Sequence, residues 1–116
     1  MSNRDHFKKG SVEMLVLYLL QEDDMYGYQL TQLISERSDG ILNIPEGSLY
    51  PTLYRLLEKG YISDSKRQVG KRLVRVYYHL EPSGNEYLTL LLGDYYRVNQ
   101  GINLILTSRT ENEDAQ

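Results

Sequence analysis

Few side chains in this sequence could make or break bonds. Cysteine is absent, and the two histidines, His6 and His79, lie far apart, without the Asp, Glu or Cys spacing of a metal site. The pattern therefore offers no thiolate nucleophile, no disulfide and no metal centre. Neither a nucleophile–base pair nor a glycine-rich phosphate loop is present. What the chain concentrates instead is positive charge. Residues 48–80 hold seven basic side chains (Arg55, Lys59, Lys66, Arg67, Lys71, Arg72, Arg75) against two acidic ones (Glu58, Asp64), net +5. Residues 1–47 are net −4 (4 basic, 8 acidic) and residues 81–116 are net −4 (2 basic, 6 acidic), giving −3 for the whole. A polyanion meets the local field of a surface, not the sum over the molecule. The 11 Tyr, against 1 Phe and no Trp, supply rings with a polar tip, suited to half-buried surfaces. On charge alone such a block is either a surface for nucleic acid or an ordinary solvated cluster, and no cofactor is expected.

The elements that must position this charge follow from periodicity. Ser11–Gln21 is an apolar run opened by a capping residue and predicts a buried helix. In MYGYQLTQLISERSDG, Tyr26, Leu30, Leu33 and Ile34 share one helical face, and Asp39-Gly40 should end that second helix, with Gly in the left-handed position. A third helix is expected over Ser48–Lys59, capped by Ser48, with Pro51 in its first turn and Gly60 after it. Its apolar stripe is Leu49, Leu53, Leu56 and Leu57. The opposite arc carries Ser48, Pro51, Tyr54, Arg55, Glu58 and Lys59, with Thr52 on its shoulder. After Gly60 the period changes from about 3.6 to 2. YISDSKRQ and LVRVYYHL then read as two strands joined by a turn around Gly70. Val74, Val76, Tyr78 and Leu80 take one face, and Arg75, Tyr77 and His79 the other. From Pro82 a long helix carries Leu88, Leu91, Tyr95, Val98, Ile102 and Ile105 at alternating gaps of three and four, the seam of a coiled coil.

The sequence resembles the PadR family of winged-helix repressors. The stretches that carry the resemblance are YGYQL, GSLYPTLYRLLEKGYI, VGKRLVRVYYHL and Pro82-Ser83-Gly84, together covering about residues 11–90. The single helix after the hairpin is similar to the shorter branch of that family. The resemblance implies an α+β, mainly α fold: a winged helix-turn-helix followed by a long dimerisation helix. Residues 1–80 would form the DNA-binding domain, 81–107 the dimerisation helix, and 108–116 a disordered acidic tail. Two departures stand out. Glu81 replaces the Thr that typically caps the last helix in the family. Trp is absent, whereas drug-sensing members of the short branch stack planar ligands between tryptophans at the dimer centre. Tyr95 and Tyr96 occupy that helix here.

A major groove about 12 Å wide admits one helix. The third helix suits it, with an apolar back and a short polar front of Ser48, Tyr50, Thr52, Tyr54, Arg55 and Lys59. Tyr50 also borders the leucine stripe, so a packing role competes with a DNA contact. Lys71 and Arg72 sit at the hairpin tip, or wing, where they can follow a minor groove or backbone. The expected partners are a double-stranded, inverted-repeat operator and a second copy joined along the Leu88–Ile105 seam. A small aromatic effector near Tyr95 and Tyr96 would release the DNA. A winged helix that binds only protein is the alternative, and it would carry a neutral or acidic third helix and wing. No apolar run is long enough to span a membrane, and the polar opening MSNRDHFKKG leads into no secretory core, so a cytoplasmic location is expected.

Overall fold

The computed structural model describes residues 10–114, with side chains through residue 109; the opening run with His6 and the last two residues lie outside the described residues. Helix α1 (Ser11–Glu22) starts behind Gly10, whose backbone is left-handed, and Ser11 is its first helical residue rather than a cap. Its Val16, Leu17, Leu19 and Leu20 are buried, which makes it the centre of the core. A two-residue strand β1 (Met25–Tyr26) follows, then α2 (Gly27–Arg37). Helix α2 ends at the expected Asp39-Gly40 pair, and Gly40 is left-handed at φ 77. Asp39, just before it, is left-handed as well, at φ 53. The bonds from Asp39 N to Glu36 O and from Gly40 N to Ser35 O close the paired motif that ends a helix. Asp tolerates this backbone better than most residues.

Helix α3 (Glu46–Glu58) begins two positions before the expected Ser48, with Pro45 as N-cap. Ser48 is thus inside the first turn and Pro51 falls in the second. The carbonyl that loses its partner to Pro51 belongs to Gly47, which is exposed, so water can satisfy it. Leu49, Leu53 and Leu56 are fully buried and Leu57 half-buried, as the stripe required. Gly60, at φ 76, lets Gly60 N reach Leu57 O and Tyr61 N reach Leu56 O. A side chain with a Cβ would be strained in that conformation.

Strands β2 (Ile62–Val69) and β3 (Leu73–Leu80) form the hairpin, with Gly70, Lys71 and Arg72 between them. The sequence predicted two strands, and the sheet has three, ordered β1-β3-β2 and antiparallel throughout. Met25 pairs with Tyr78 and Tyr26 with Tyr77. Two residues give too short a pattern for any period to register. On the inner face Tyr78 is buried and Val76 and Leu80 are half-buried, while Val74, near the tip, is exposed.

Helix α4 (Pro82–Asp114) runs 33 residues, roughly 50 Å at 1.5 Å per residue. It is helical past the boundary expected near 107, to Asp114. Glu81 N donates to Tyr61 O, which ties the helix start to the end of α3 without the usual threonine. Gly84 is needed at that junction, because a Cβ there would stand 2.0 Å from the Tyr61 carbonyl oxygen. The result is a winged helix with one long helix leaving it.

Candidate nucleic-acid interface

Helix α3 presents Ser48, Pro51, Tyr54, Arg55, Glu58 and Lys59 to solvent. Lys59 follows the last turn, where a cation complements the negative end of the helix. Two residues of the expected reading face lie elsewhere. Thr52 is buried, and its hydroxyl donates to Ser48 O at 3.1 Å, so it is turned away from any ligand. Helix α3 starts earlier than Ser48, and Thr52 lies beside Leu53 and Leu56 on the inner arc. Tyr50 is half-buried, its phenol lying over the start of α2, where a Cβ on Gly27 would meet the hydroxyl at 2.6 Å. Its ring also sits 6.2 Å from that of Tyr54. Packing is thus a large part of the work of Tyr50, and Gly27 is what makes room for it.

Arg55 is exposed but not unattached. Its Nη2 stands 4.0 Å from Oε2 of Glu13, in the first turn of α1. Tyr87 of α4 stacks its ring on Tyr61 at 4.4 Å. Burial, reinforced by the Glu13 carboxylate, raises the Tyr87 phenol above its usual value. Burial likewise pushes Tyr78 up to about 12, with Tyr50, Tyr54 and Asp64 adding to the effect. Both rings therefore stay neutral and donate or pack rather than titrate.

On the hairpin, Lys71 and Arg72 are exposed in the turn, and Gln68 Nε2 donates to Lys71 O at 3.3 Å. Further down, Arg67 and Arg75 face each other directly across the ladder. Like charges in that position destabilise a hairpin. The structure separates them by stacking: the Arg67 guanidinium lies 4.5 Å over Tyr77 and that of Arg75 lies 4.4 Å over Tyr26. Tyr26 and Tyr77 meet edge-to-face at 5.4 Å. Asp24, in the loop between α1 and β1, accepts from Arg67 and lies 2.7 Å from His79 Nδ1. The hydrogen bond with His79 holds the Asp24 carboxyl below its usual range, against the effect of burial and with help from Arg67. Asp24 thereby pins the base of the hairpin to the helical core. None of this network was legible as a motif, since Asp24 is 43 positions from Arg67 and 55 from His79.

Along α4 the expected seam divides. Leu88 is buried in its own chain and Leu91 half-buried, both in the core that α1 anchors, so Leu88 is not free to pair with a second copy. Tyr95, Val98, Ile102 and Ile105 are exposed, as are Leu90, Leu104 and Leu106. Tyr95 and Tyr96 lie edge-to-face at 5.3 Å, both open to solvent. Among the described residues no group of His, Cys, Asp or Glu is arranged to hold a metal, and no helix is long and apolar enough to cross a membrane.

Comparison with known proteins agrees with this architecture. The family model of the transcriptional regulator PadR-like family matches residues 16–90. The chain is 32% identical over 83 residues to the transcriptional regulator Rv3488 of Mycobacterium tuberculosis, covering 72% of this chain and 74% of that protein. The structure is similar to that of a transcriptional regulator from Clostridium thermocellum, with TM-score 0.79 and 31% identity over 84% of this chain and 95% of the other. It also matches Bacillus subtilis PadR in complex with operator DNA, with TM-score 0.65 and 26% identity, over 71% of this chain and 46% of the longer one. These relatives are regulators of transcription, not enzymes. With more than half of its length matched by the family model, the chain belongs to the PadR-like family of transcriptional regulators.

Proposed function

We propose that this regulator is a repressor that binds an inverted-repeat operator as a homodimer in the cytoplasm. Helix α3 enters the major groove with Ser48, Tyr54, Arg55 and Lys59, and Tyr50 reaches phosphate only from its edge. The wing lays Lys71 and Arg72 along the adjacent backbone or minor groove. The observation that carries this reading is the exposed pair Arg55 and Lys59 at the end of α3, balanced on that helix by Glu46 and Glu58, beside a cationic hairpin with Lys66, Arg67, Lys71, Arg72 and Arg75, in a chain that is acidic elsewhere. The operator-bound PadR of Bacillus subtilis, similar over 71% of this chain, supports it. The exposed run Tyr95, Val98, Ile102 and Ile105 supports pairing of α4 with a second copy, because soluble monomers rarely leave such a stripe open. The cleft between α1 and α2 lined by Leu15, Tyr18, Leu19, Leu33 and Leu42 is a further apolar surface that the partner's helix can cover. A small planar aromatic effector, bound between subunits near Tyr95 and Tyr96, would release the DNA. The deciding experiment is footprinting of the purified protein on DNA flanking its own gene. A protected inverted repeat supports the proposal; absence of protection at every salt concentration refutes it. A calorimetric screen of planar cations and phenolic acids tests the effector, and no heat with no change in DNA binding would remove it.

A further inference from the structure

The outer face of the sheet sets two arginines opposite each other and provides for them differently. Arg67 of β2 and Arg75 of β3 are direct partners across the ladder. Each guanidinium lies over a tyrosine ring, Arg67 at 4.5 Å from the centre of Tyr77 and Arg75 at 4.4 Å from that of Tyr26. The two rings brace each other edge-to-face at 5.4 Å. A guanidinium is attracted to a ring through its own face, and its N–H donors lie around its edge, so the ring takes up none of them. Arg67 gives donors to Asp24, with which it is also ion-paired. The Arg75 side chain has no hydrogen bond and no carboxylate partner among the described residues. It is nevertheless half-buried and held in one place by Tyr26, so little freedom is left to lose when an anion arrives. Arg75 stands three residues behind the turn that carries Lys71 and Arg72, about 10 Å along the strand at roughly 3.3 Å per residue. One strand of a duplex offers a phosphate about every 3.4 Å of its axis. A hairpin whose tip meets that backbone thus brings Arg75 within reach of a further phosphate.

We propose that Arg75, held ready on Tyr26, binds a backbone phosphate of duplex DNA, and that Asp24 keeps Arg67, its partner across the ladder, out of that role. The outer face of the sheet thereby extends the DNA contact beyond the third helix and the hairpin tip. Such a contact positions the protein and carries no base sequence. The difference between the two arginines has a physical cause. Guanidiniums directly opposite each other repel. Asp24 neutralises one of them, and the other keeps its full charge and its fork of N–H donors, which matches two oxygens of one phosphate. The inference rests on the reading of this chain as a DNA-binding winged helix.

The test is binding of the full chain to a mixed-sequence DNA duplex, titrated from about 50 to about 200 mM salt. Arg75→Gln should lower the slope of log K against log salt by about 0.9, so that its deficit against wild type shrinks roughly 3.5-fold over that range. Arg75→Lys keeps the charge without the fork, and it should keep the slope while losing affinity. An arginine with a merely structural role would lower affinity in both variants and leave both slopes alone. Arg67→Gln should change the slope clearly less than Arg75→Gln does, and by about as much once Asp24→Asn has released Arg67. Lys59→Ala is measured in parallel as the probe of α3. If wild type binds no duplex at any salt concentration, the DNA-binding reading falls and the inference with it. If wild type binds and Lys59→Ala flattens the slope while Arg75→Gln does not, α3 keeps its role and the inference alone is overturned. Equal loss of slope in Arg67→Gln and Arg75→Gln with Asp24 in place would overturn the part assigned to Asp24.

Discussion

Lys59 and Arg55 differ in a way their positions on a helical projection hide. Lys59 stands beyond the last turn of α3, exposed, whereas Arg55 shares its charge with Glu13. Lys59→Ala should therefore weaken binding to all DNA sequences alike and flatten the dependence of log K on log salt by about one unit, as loss of one phosphate contact does. Arg55→Ala should weaken binding by less than a fully engaged base contact, whose loss costs about 1–3 kcal/mol. Titrations at several salt concentrations separate the two; unchanged slope and affinity in the double variant would show that α3 is not the reading element. Asp24 gives a prediction in pH. Its carboxyl is held below its ordinary 3.8 by the His79 hydrogen bond first and by Arg67 as well. A depressed carboxyl adds stability that is complete above the unfolded value and lost as pH falls through the folded one. Wild type should thus lose stability more steeply than Asp24→Asn as the medium is acidified from about pH 5 toward pH 2. Parallel unfolding curves for the two proteins would show that the Asp24 network contributes nothing measurable.

Among the elements, the junction between α3 and α4 is the tightest. Gly84→Ala would place a Cβ 2.0 Å from the Tyr61 carbonyl oxygen and 2.9 Å from Leu80. Neither the backbone oxygen nor the helix start can move without disturbing the Glu81–Tyr61 hydrogen bond. The variant should be destabilised by about 2–3 kcal/mol or more, at the upper end of overpacking costs. At Gly27 the obstacle is the hydroxyl end of Tyr50, which can swing. Gly27→Ala should cost less, and Tyr50→Phe should restore part of the loss. Urea unfolding of the two alanine variants measures the difference; the reverse order would show that Tyr50 is held more rigidly than the chain at Tyr61. The helices and the hairpin were legible because each repeats its period several times. Strand β1 was not, for it is two residues long and exists only by pairing with Tyr77 and Tyr78. The start of α3 was misplaced because Ser48 is the better cap on propensity, yet Pro45 has the extended backbone a cap needs. Ser48 N instead donates to Pro45 O.

For the molecule as a whole, α4 is the feature in need of a partner. Leu88 has found its own core, whereas Val98 is 59% exposed at the middle of the open run. Burial of each such side chain contributes about 1.5–3 kcal/mol, so the four seam residues left open can drive association once entropy costs are met. If α4 pairs as proposed, Val98→Asp should yield a monomer that binds DNA weakly, and sedimentation velocity reads this directly. A wild type that is monomeric at micromolar concentration would refute the assembly, as would a variant that stays dimeric. Twofold symmetry would set two α3 helices about 34–36 Å apart, so that half-sites should repeat about every 10 base pairs.

The sequence by itself determined the class of molecule. Leucines at helical spacing, a change to period two after Gly60 and a cationic block within an acidic chain each follow from neighbours along the chain. Local periodicity and charge density need nothing else. It also determined that α4 would carry unpartnered apolar residues, since a three-four repeat marks a face whatever covers it. Only the tertiary structure decided which of those residues the chain keeps for itself. It sent Leu88 inward and turned Thr52 toward its own backbone. It also placed Glu13 beside Arg55, and Asp24 between Arg67 and His79. Each of these depends on how two elements distant in sequence meet. A carboxylate at position 13 or 24 looks like an ordinary solvated charge until the packing of helices and sheet supplies its partner.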